Sequence, residues 1–280
     1  MNKQSKLKFN ISIFAGILLT FFVVGFTAFE ATKSPLIFIN YGAAVIVFGG
    51  MMTVAFIMNS FSDLVQVGRS ILWLFKSDQG GKLDIITEIL GLATSQQEDT
   101  FVLSQNIKNV ENIYLKEGLE LLSLGMKSED IQRVFGLKME AKYTMNVIQS
   151  GFLLSMSKMG PGLGLVGTLL AMVALFFQMG QGMGIEQIGP SMAIALCATL
   201  YGVGVSNLIF LPLAEALAHK SEVEQGHMRL ISDGLIMLKE RRHPVYVRES
   251  LKSYLSGTDQ VALTQRNQKP KEKEEERVSA

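Results

Sequence analysis

Four long uncharged stretches set the first structural prediction. They cover residues 11–29, 36–58, 159–179 and 188–213, and none of them contains Lys, Arg, Asp or Glu. A helix rises about 1.5 Å per residue, so ~20 apolar residues span the ~30 Å hydrocarbon core of a bilayer. The first stretch is too long for a signal peptide and no small-residue cleavage site follows it, so we expect a retained helix. The pattern therefore predicts four transmembrane helices.

The distribution of basic residues predicts the orientation of these spans. Lys3, Lys6 and Lys8 precede the first span, whereas residues 30–35 hold a single Lys and residues 180–187 hold none. Several basic residues fall between the second and third spans, among them Arg69, Lys76, Lys138, Lys142 and Lys158. Because basic residues near a span resist translocation, we expect both termini and the middle segment in the cytoplasm.

The segment between the second and third spans reads as soluble helices. Apolar residues recur there at helical spacing: Ile85, Ile86, Ile89, Leu90 and Leu92, then Leu115, Leu119 and Leu122. Gly125 is a plausible helix end, and Ser128, followed by two acids, a good helix start. The helix from Ser128 can continue into the third span, and the fourth span can continue past Pro212 until the His243-Pro244 pair ends it.

The predicted fold is an all-α membrane protein, four transmembrane helices with long cytoplasmic helical extensions. Its expected segments are a cytoplasmic amino terminus, two spans, a cytoplasmic helical domain, two further spans, cytoplasmic helices and a disordered charged tail. Their bounds are 1–10, 11–58, 59–158, 159–213, 214–257 and 258–280. The tail is placed there because apolar residues are too sparse near the carboxyl end to offset the entropy of ordering.

Composition supports a membrane class and excludes several others. The chain is 48% hydrophobic with a mean hydropathy of +0.29, while its net charge of +1 gives no sign of nucleic-acid binding. The single Cys197 excludes an internal disulfide and lies in an apolar run, where a packing role is expected. His219, His227 and His243 lie outside the spans without a Cys or acidic cluster, so no metal site is predicted. No nucleophile-base pair or phosphate loop is visible, which argues against an enzyme.

Glycines open the third span in a pattern that matches a dinucleotide-binding motif only in its letters. Gly162, Gly164 and Gly167 form GxGxxG, but they follow no strand and begin a membrane helix. Glycine lets helices approach closely within a bilayer, and Gly202 in the fourth span invites the same explanation. We therefore expect these glycines to serve helix packing.

Polar residues inside the spans suggest a polar path. They are Thr168 in the third span and Ser191, Thr199, Tyr201, Ser206 and Asn207 in the fourth. Each hydroxyl taken singly can bond to its own backbone, but together they indicate a polar helix face. An ion path usually needs a titratable group near the bilayer centre, and no carboxylate or His lies within the four stretches. If ions pass, another chain must supply the carboxylate.

Four blocks of the sequence resemble the MotA/PomA flagellar stator family. They are GPSMAIALCATLYGVGVSNLIFLPLAEAL at 189–217, MGPGLGLVGTLLAMV at 159–173, GLELLSLG at 118–125 and INYGAAVIVFGG at 39–50. The resemblance extends to about residue 255. It implies a homopentamer around two copies of a single-span, MotB/PomB-like partner whose aspartate carries the ion. It also implies the bacterial inner membrane and a FliG-like rotor protein as a further partner.

The resemblance assigns roles to individual residues. Pro161 and Pro212 match the family prolines at the cytoplasmic ends of the last two spans, where each is either a hinge that couples ion occupancy to movement or a static kink. Thr168 and Thr199 match positions that face the ion path in sodium-driven members. A hydroxyl oxygen can coordinate a cation, which favours transported sodium over protons. No permanently bound cofactor is expected.

The charges that contact the rotor depart from the family pattern. A pattern like RREGLLALE is replaced by QQEDTFVLS at 96–104, in which Gln96 and Gln97 stand for the basic pair and Glu98 keeps its charge. Either other charges make the rotor contact, or the chain drives a different machine. The candidates for such a contact are Glu98, Lys108, Glu111, Lys116 and Glu117.

Three functions stay open at this stage. A flagellar stator is favoured. An ExbB/TolQ-like energiser of outer-membrane transport shares the pentameric arrangement but usually has three spans and an outside amino terminus. A structural membrane scaffold without ion flow is the third possibility.

Overall fold

In a computed structural model of the chain, every regular element in the described residues is a helix. The structure describes residues 11–32, 35–75, 81–98, 110 and 112–264. The chain divides into two compact units, Met1–Ser77 with Met145–Lys220 and Asp78–Thr144 with Ser221–Ala280. The predicted all-α fold is thus confirmed for the described residues.

The longest helices are Ser128–Gly180 with 53 residues and Leu211–Lys239 with 29, and each has a segment in both units. In chain order the α-helices are α1 Ile11–Thr32, α2 Tyr41–Ala44, α3 Gly50–Met58, α4 Phe61–Leu74, α5 Lys82–Glu98, α6 Ile113–Ser123, α7 Ser128–Gly180, α8 Ile185–Val205, α9 Leu211–Lys239 and α10 Pro244–Lys252. Two π-helical turns, Val45–Gly49 and Ser206–Phe210, join α2 to α3 and α8 to α9. The continuation of the third span backward to Ser128, and of the fourth span past Pro212, is as the sequence predicted.

Three helical segments are long and apolar enough to cross a membrane: Tyr41–Met58, Ser128–Gly180 and Ile185–Lys239. They contain most or all of the second, third and fourth predicted spans. The first predicted span falls within α1, whose apolar part is the shorter Leu18–Thr27. The fourth crossing, by α1, therefore stays a prediction.

The second span begins as an α-helix later than its apolar stretch does. Residues Pro35–Phe38 form a 3-10 turn, and α2 starts at Tyr41. Asn40 has extended backbone, and its side-chain oxygen accepts a hydrogen bond from the Ala43 amide at 3.1 Å. An asparagine in this geometry caps a helix by satisfying a free amide. Hydropathy alone did not distinguish the apolar turn from the helix that follows it.

The second unit is built around one apolar core. Its fully buried members come from α5, α6, α7, α9 and α10 and include Ile89, Leu119, Phe135, Leu235 and Val247. The structure thus confirms helices where the spacing of apolar residues predicts them, in α5 and α6. Their burial supplies the main free energy that holds these helices together.

The ends of α6 are fixed by local hydrogen bonding. The Asn112 side chain accepts from the amides of Tyr114 and Leu115 at 3.0 and 3.2 Å and so begins the helix. Gly125 follows the helix with a φ of +78°, a left-handed conformation that suits glycine. Helix α7 then starts at Ser128, so both predicted boundaries are confirmed.

The predicted disordered tail begins too early. Residues 257–264 are helical, and Leu263 is 2% exposed within the core of the second unit. The prediction starts the tail at residue 258 because apolar residues are sparse near the carboxyl end, but Leu255 and Leu263 still bury apolar surface. Residues 265–280, which carry most of the charge, lie outside the described residues.

Candidate ion pathway

Glycines bring α7 and α8 into close contact in the first unit. A Cβ added at Gly202 would lie 2.4 Å from the Gly160 carbonyl oxygen, and one added at Gly160 would lie 2.8 Å from the Gly202 carbonyl oxygen. An added Cβ at Gly164 would meet the Ala198 carbonyl oxygen at 2.9 Å. These neighbours are backbone atoms, which cannot turn away as a side chain can. The contact therefore requires glycine at all three positions.

The other two predicted packing positions differ from each other. A Cβ at Gly167 would lie 2.6 Å from the Ala198 Cβ, so this glycine also fits a tight contact. Gly162 is exposed, and an added Cβ there would have nothing within 4 Å in the described chain. The described chain gives Gly162 no packing neighbour, so its packing role stays a prediction. This glycine lies on the outward side of α7, which the spacing of the GxGxxG letters did not reveal.

The two predicted ion-path threonines meet where α7 and α8 cross. Their hydroxyl oxygens lie 2.6 Å apart. The Thr168 hydroxyl also lies 3.0 Å from the Gly164 carbonyl oxygen and 3.2 Å from the Ala195 carbonyl oxygen, which Thr199 approaches at 3.4 Å. Thr168 is half-buried and Thr199 is exposed, so this oxygen cluster borders the surface of the single chain. Oxygen atoms of this kind are ligands that hard cations accept.

The remaining polar residues of α8 have separate partners. The Ser191 hydroxyl donates to the Gln178 side-chain oxygen at 3.0 Å. The Tyr201 hydroxyl donates to the Phe38 carbonyl and accepts from the Asn40 amide, at 2.9 Å in the latter case. Tyr201 therefore anchors the turn before α2 and does not line the threonine cluster.

A π-helical turn precedes Pro212. The Leu211 amide donates to the Ser206 carbonyl, one residue further back than in an α-helix, and Pro212 has no amide hydrogen to donate. Ser206 is fully buried and its hydroxyl has no hydrogen-bond partner in the described residues. The helix geometry is thus irregular immediately before Pro212. Such π-turns are frequent at functional sites.

Pro161 lies inside α7, which continues through it without a break. A proline at this position removes the bond that would otherwise reach the Ser157 carbonyl. Pro161 neighbours Gly160, whose carbonyl oxygen makes the close approach to Gly202. Pro161 therefore adjoins the glycine contact of the first unit. A Cβ added at Gly160 would also clash with the hydroxyl of Ser206, the residue that begins the π-turn ahead of Pro212.

The predicted rotor-contact residues are only partly described. Lys116 is exposed on α6. Glu117 pairs with Lys138 of α7 at 2.7 Å, and both side chains are more than a third exposed. Lys108, Glu111 and the side chain of Glu98 lie outside the described residues. The rotor contact therefore stays a prediction.

Three polar side chains of the second unit form a cluster that the sequence did not indicate. The Tyr114 hydroxyl donates to Glu224 Oε1 at 2.6 Å, and Lys142 Nζ donates to both the Tyr114 oxygen and Glu224 Oε1. Burial and the hydrogen bond to Glu224 raise the pKa of Tyr114, so its phenol stays protonated. Burial alone would lower the pKa of Lys142, but its bonds to Glu224 and Tyr114 outweigh burial and raise it.

No group of three or more His, Cys, Asp or Glu residues able to hold a metal ion occurs in the described part of the chain. The apolar stretches 36–58, 159–179 and 188–213 contain no carboxylate. What the first unit offers an ion is therefore a set of neutral oxygens, the threonine hydroxyls and nearby carbonyls. These oxygens can coordinate a cation or accept a hydrogen bond from water or a hydronium ion. They do not gain or lose a proton near neutral pH.

Comparison with known proteins agrees with this architecture. The model of the MotA/TolQ/ExbB proton channel family matches residues 106–230. Chemotaxis protein PomA of Vibrio alginolyticus is 27% identical over 222 residues, which cover 78% of this chain and 85% of PomA. Motility protein A of Cereibacter sphaeroides is 25% identical over 213 residues, 76% of this chain and 82% of that protein.

A solved structure has the same fold. In the flagellar MotAB stator complex from Bacillus subtilis, one chain superposes with a TM-score of 0.81 at 22% identity, and the match covers 90% of this chain and 98% of that one.

Fold and relatives together define a class, the helical membrane proteins of ion-driven motors and channels. Within that class the chain is similar to the MotA/TolQ/ExbB proton channel family over residues 106–230 and to the motility proteins MotA and PomA. The resemblance that the four sequence blocks indicated is thereby confirmed.

Proposed function

We propose that the chain is the multi-pass subunit of a flagellar motor stator, and that it forms an ion path together with a single-span MotB/PomB-like partner. The observation that carries the proposal is the threonine pair, 2.6 Å apart on two helices packed through glycine in a region without a carboxylate. Such a site can accompany an ion but needs an acid from elsewhere. The similarity of the chain to PomA and to motility protein A supports this assignment.

The proposed assembly has five copies of the chain around two copies of the partner. It lies in the bacterial inner membrane, with four crossings and both termini in the cytoplasm. The placement of Lys and Arg supports this orientation. Outward-facing apolar residues of α7 and α8 support contact with lipid or with further chains. A FliG-like rotor protein is the proposed target of the cytoplasmic unit.

The direct test is deletion of the gene followed by complementation. Cells without the chain should assemble flagella that do not rotate, and the intact gene should restore rotation. A second candidate, a stator-like energiser of another machine, is favoured by the loss of charge at Gln96 and Gln97. It would be supported if the deletion impairs outer-membrane uptake and leaves swimming intact.

Thr168→Ala should slow rotation by about two- to tenfold, the equivalent of one lost hydrogen bond or ligand contact. If sodium is the transported ion, motor speed should follow the sodium gradient, and the variant should need more sodium to reach the same speed. Thr53→Ala is a matched control, because the Thr53 hydroxyl bonds only to its own helix at the Gly49 carbonyl. Motor speed is measured by cell tethering across a sodium series.

Two outcomes would contradict parts of this proposal. Unchanged speed in sodium-free medium would rule out sodium as the ion and leave the proton. Unchanged motility and unchanged ion leak after joint removal of both hydroxyls, in Thr168→Ala with Thr199→Ala, would instead support a scaffold without ion flow.

A further inference from the structure

The cluster of Tyr114, Lys142 and Glu224 joins three helices of the second unit. Tyr114 lies in the first turn of α6, Lys142 in α7 and Glu224 in α9. Glu224 Oε1 receives hydrogen bonds from both the Tyr114 hydroxyl and the Lys142 ammonium. Lys142 Nζ also lies 5.0 Å from the centroid of the Tyr114 ring. Each member contacts both of the others, so the cluster links the three helices pairwise.

Burial makes this cluster more than a surface ion pair. The Glu224 side chain is 14% exposed, and its second oxygen, Oε2, is buried without a hydrogen-bond partner in the described residues. The carboxylate is therefore stabilised through one oxygen by two donors. A partly desolvated charge with so few partners depends strongly on each of them. Loss of either donor leaves Glu224 poorly compensated.

A second polar link between α6 and α7 provides a contrast. Lys138 and Glu117 lie about one helical turn from Lys142 and Tyr114, and their side chains are 43% and 42% exposed. Exposed pairs of this type contribute little because water screens them. Both links join α6 and α7. Only the first also includes α9, and only its carboxylate is largely buried, since the Glu224 side chain is 14% exposed while that of Lys142 is 37% exposed.

Helix α6 also presents a charged outer face. Leu115, Gly118 and Leu119 point into the core, whereas Lys116 is exposed on the other side. The orientation of that outer face is set by how the helix is held on α7 and α9. The apolar core packs α6 against the other helices, and the Tyr114 cluster ties its first turn to α7 and α9 by hydrogen bonds.

We propose that Tyr114, Lys142 and Glu224 act as a positioning clamp that makes α6 move as one body with α7 and α9. The inference rests on the proposed stator function, in which α7 and α9 carry the helix segments of Pro161 and Pro212 and α6 presents charges to a rotor. Through the clamp, displacement of either long helix reaches the outer face of α6. These residues position the rotor-facing surface and do not touch the ion.

The test is the torque added by single stator units in cells that lack only the chain's own gene. Bead rotation is recorded while stators join the motor one at a time. Glu224→Gln and Lys142→Met should lower the torque of each step by about twofold or more, with the sodium or proton dependence of speed unchanged. The charge exchange, Lys142→Glu with Glu224→Lys, should recover most of the torque because Tyr114 can donate or accept.

Lys138→Met is the matched control, since it breaks the exposed link between the same helices and should keep full torque per step. Equal step heights in Glu224→Gln, Lys142→Met and Lys138→Met would overturn the clamp. Failure of the wild-type chain to restore rotation would instead contradict the proposed function, and the clamp is then decided by a second measurement.

That measurement is hydrogen exchange on the purified intact complex with Tyr114→Phe, which removes one hydroxyl and keeps the ring and the ion pair. The amides of α6 should exchange at least about twofold faster, while those of α8 stay unchanged. The same measurement serves if the charge variants fail to accumulate. Equal exchange of α6 in the variant and the wild type would overturn the inference.

Discussion

Gly202→Ala is expected to abolish rotation, whereas Gly204→Ala two residues away should leave it nearly intact. A Cβ at Gly202 would lie 2.4 Å from the Gly160 carbonyl oxygen and 2.9 Å from the Gly164 Cα, both of which are backbone atoms. Neither can move without separating α7 from α8. Overpacking usually costs about 1–3 kcal/mol, and a backbone-to-backbone clash lies at the upper end of that range.

The loss would follow from the geometry of the ion path as well as from stability. Separating α7 from α8 also separates the hydroxyls of Thr168 and Thr199, which lie 2.6 Å apart between these two helices. Swimming speed and the thermal stability of the purified complex are the measurements. Gly204 is a matched control because it lies in the same helix and a Cβ there would have nothing within 4 Å. Equal motility of the two variants would show that the close contact is not required.

Pro161→Ala and Pro212→Leu are expected to lower torque by at least about tenfold while the chain still enters the membrane. A proline inside a helix costs ~3 kcal/mol or more relative to a residue that keeps the hydrogen bond. Replacing it therefore favours the regular, straight helix over the irregular one. A free-energy shift of that size leaves almost no population in the irregular helix conformation. A motor that must alternate between the irregular and the straight conformation therefore stops.

The π-helical turn Ser206–Phe210 makes the expectation sharper at Pro212. A leucine there supplies an amide hydrogen that can bond to the Leu208 carbonyl and restore α-helical spacing after the turn. The measurement is torque per motor, together with the amount of chain in the membrane fraction. Pro190→Ala is a control, because Pro190 lies within the first two turns of α8, away from the glycine contact. Normal swimming of both hinge variants would mean that the prolines form static kinks.

Much of the membrane part follows from the sequence because its signals are local. Uncharged stretches predict the three helices that can span a bilayer. Thr168 and Thr199, which the family resemblance selects from the polar residues of these spans, do lie together. The spacing of the glycines predicts a close helix contact but not which of the glycines face the neighbouring helix. Gly164 and Gly167 face α8 while Gly162 faces outward, since only the three-dimensional crossing decides which side of a helix is covered.

Features that depend on distant residues were not predictable. Tyr114, Lys142 and Glu224 are separated in sequence by 28, 82 and 110 residues, so no periodicity brings them together. The 3-10 turn before α2 is as apolar as the helix after it, and only the Asn40 cap marks the boundary. Leu263 packs into the core although charged sequence follows it closely, which moved the predicted tail boundary too far toward the amino terminus.

The central claim is that the chain provides the walls of an ion path and takes its titratable acid from a partner chain. The most direct test is cation flux in liposomes that contain the purified chain alone or together with its single-span partner. We expect flux only with the partner present, and no flux when the partner's membrane aspartate is changed to asparagine. Full conduction by the chain alone would contradict the claim.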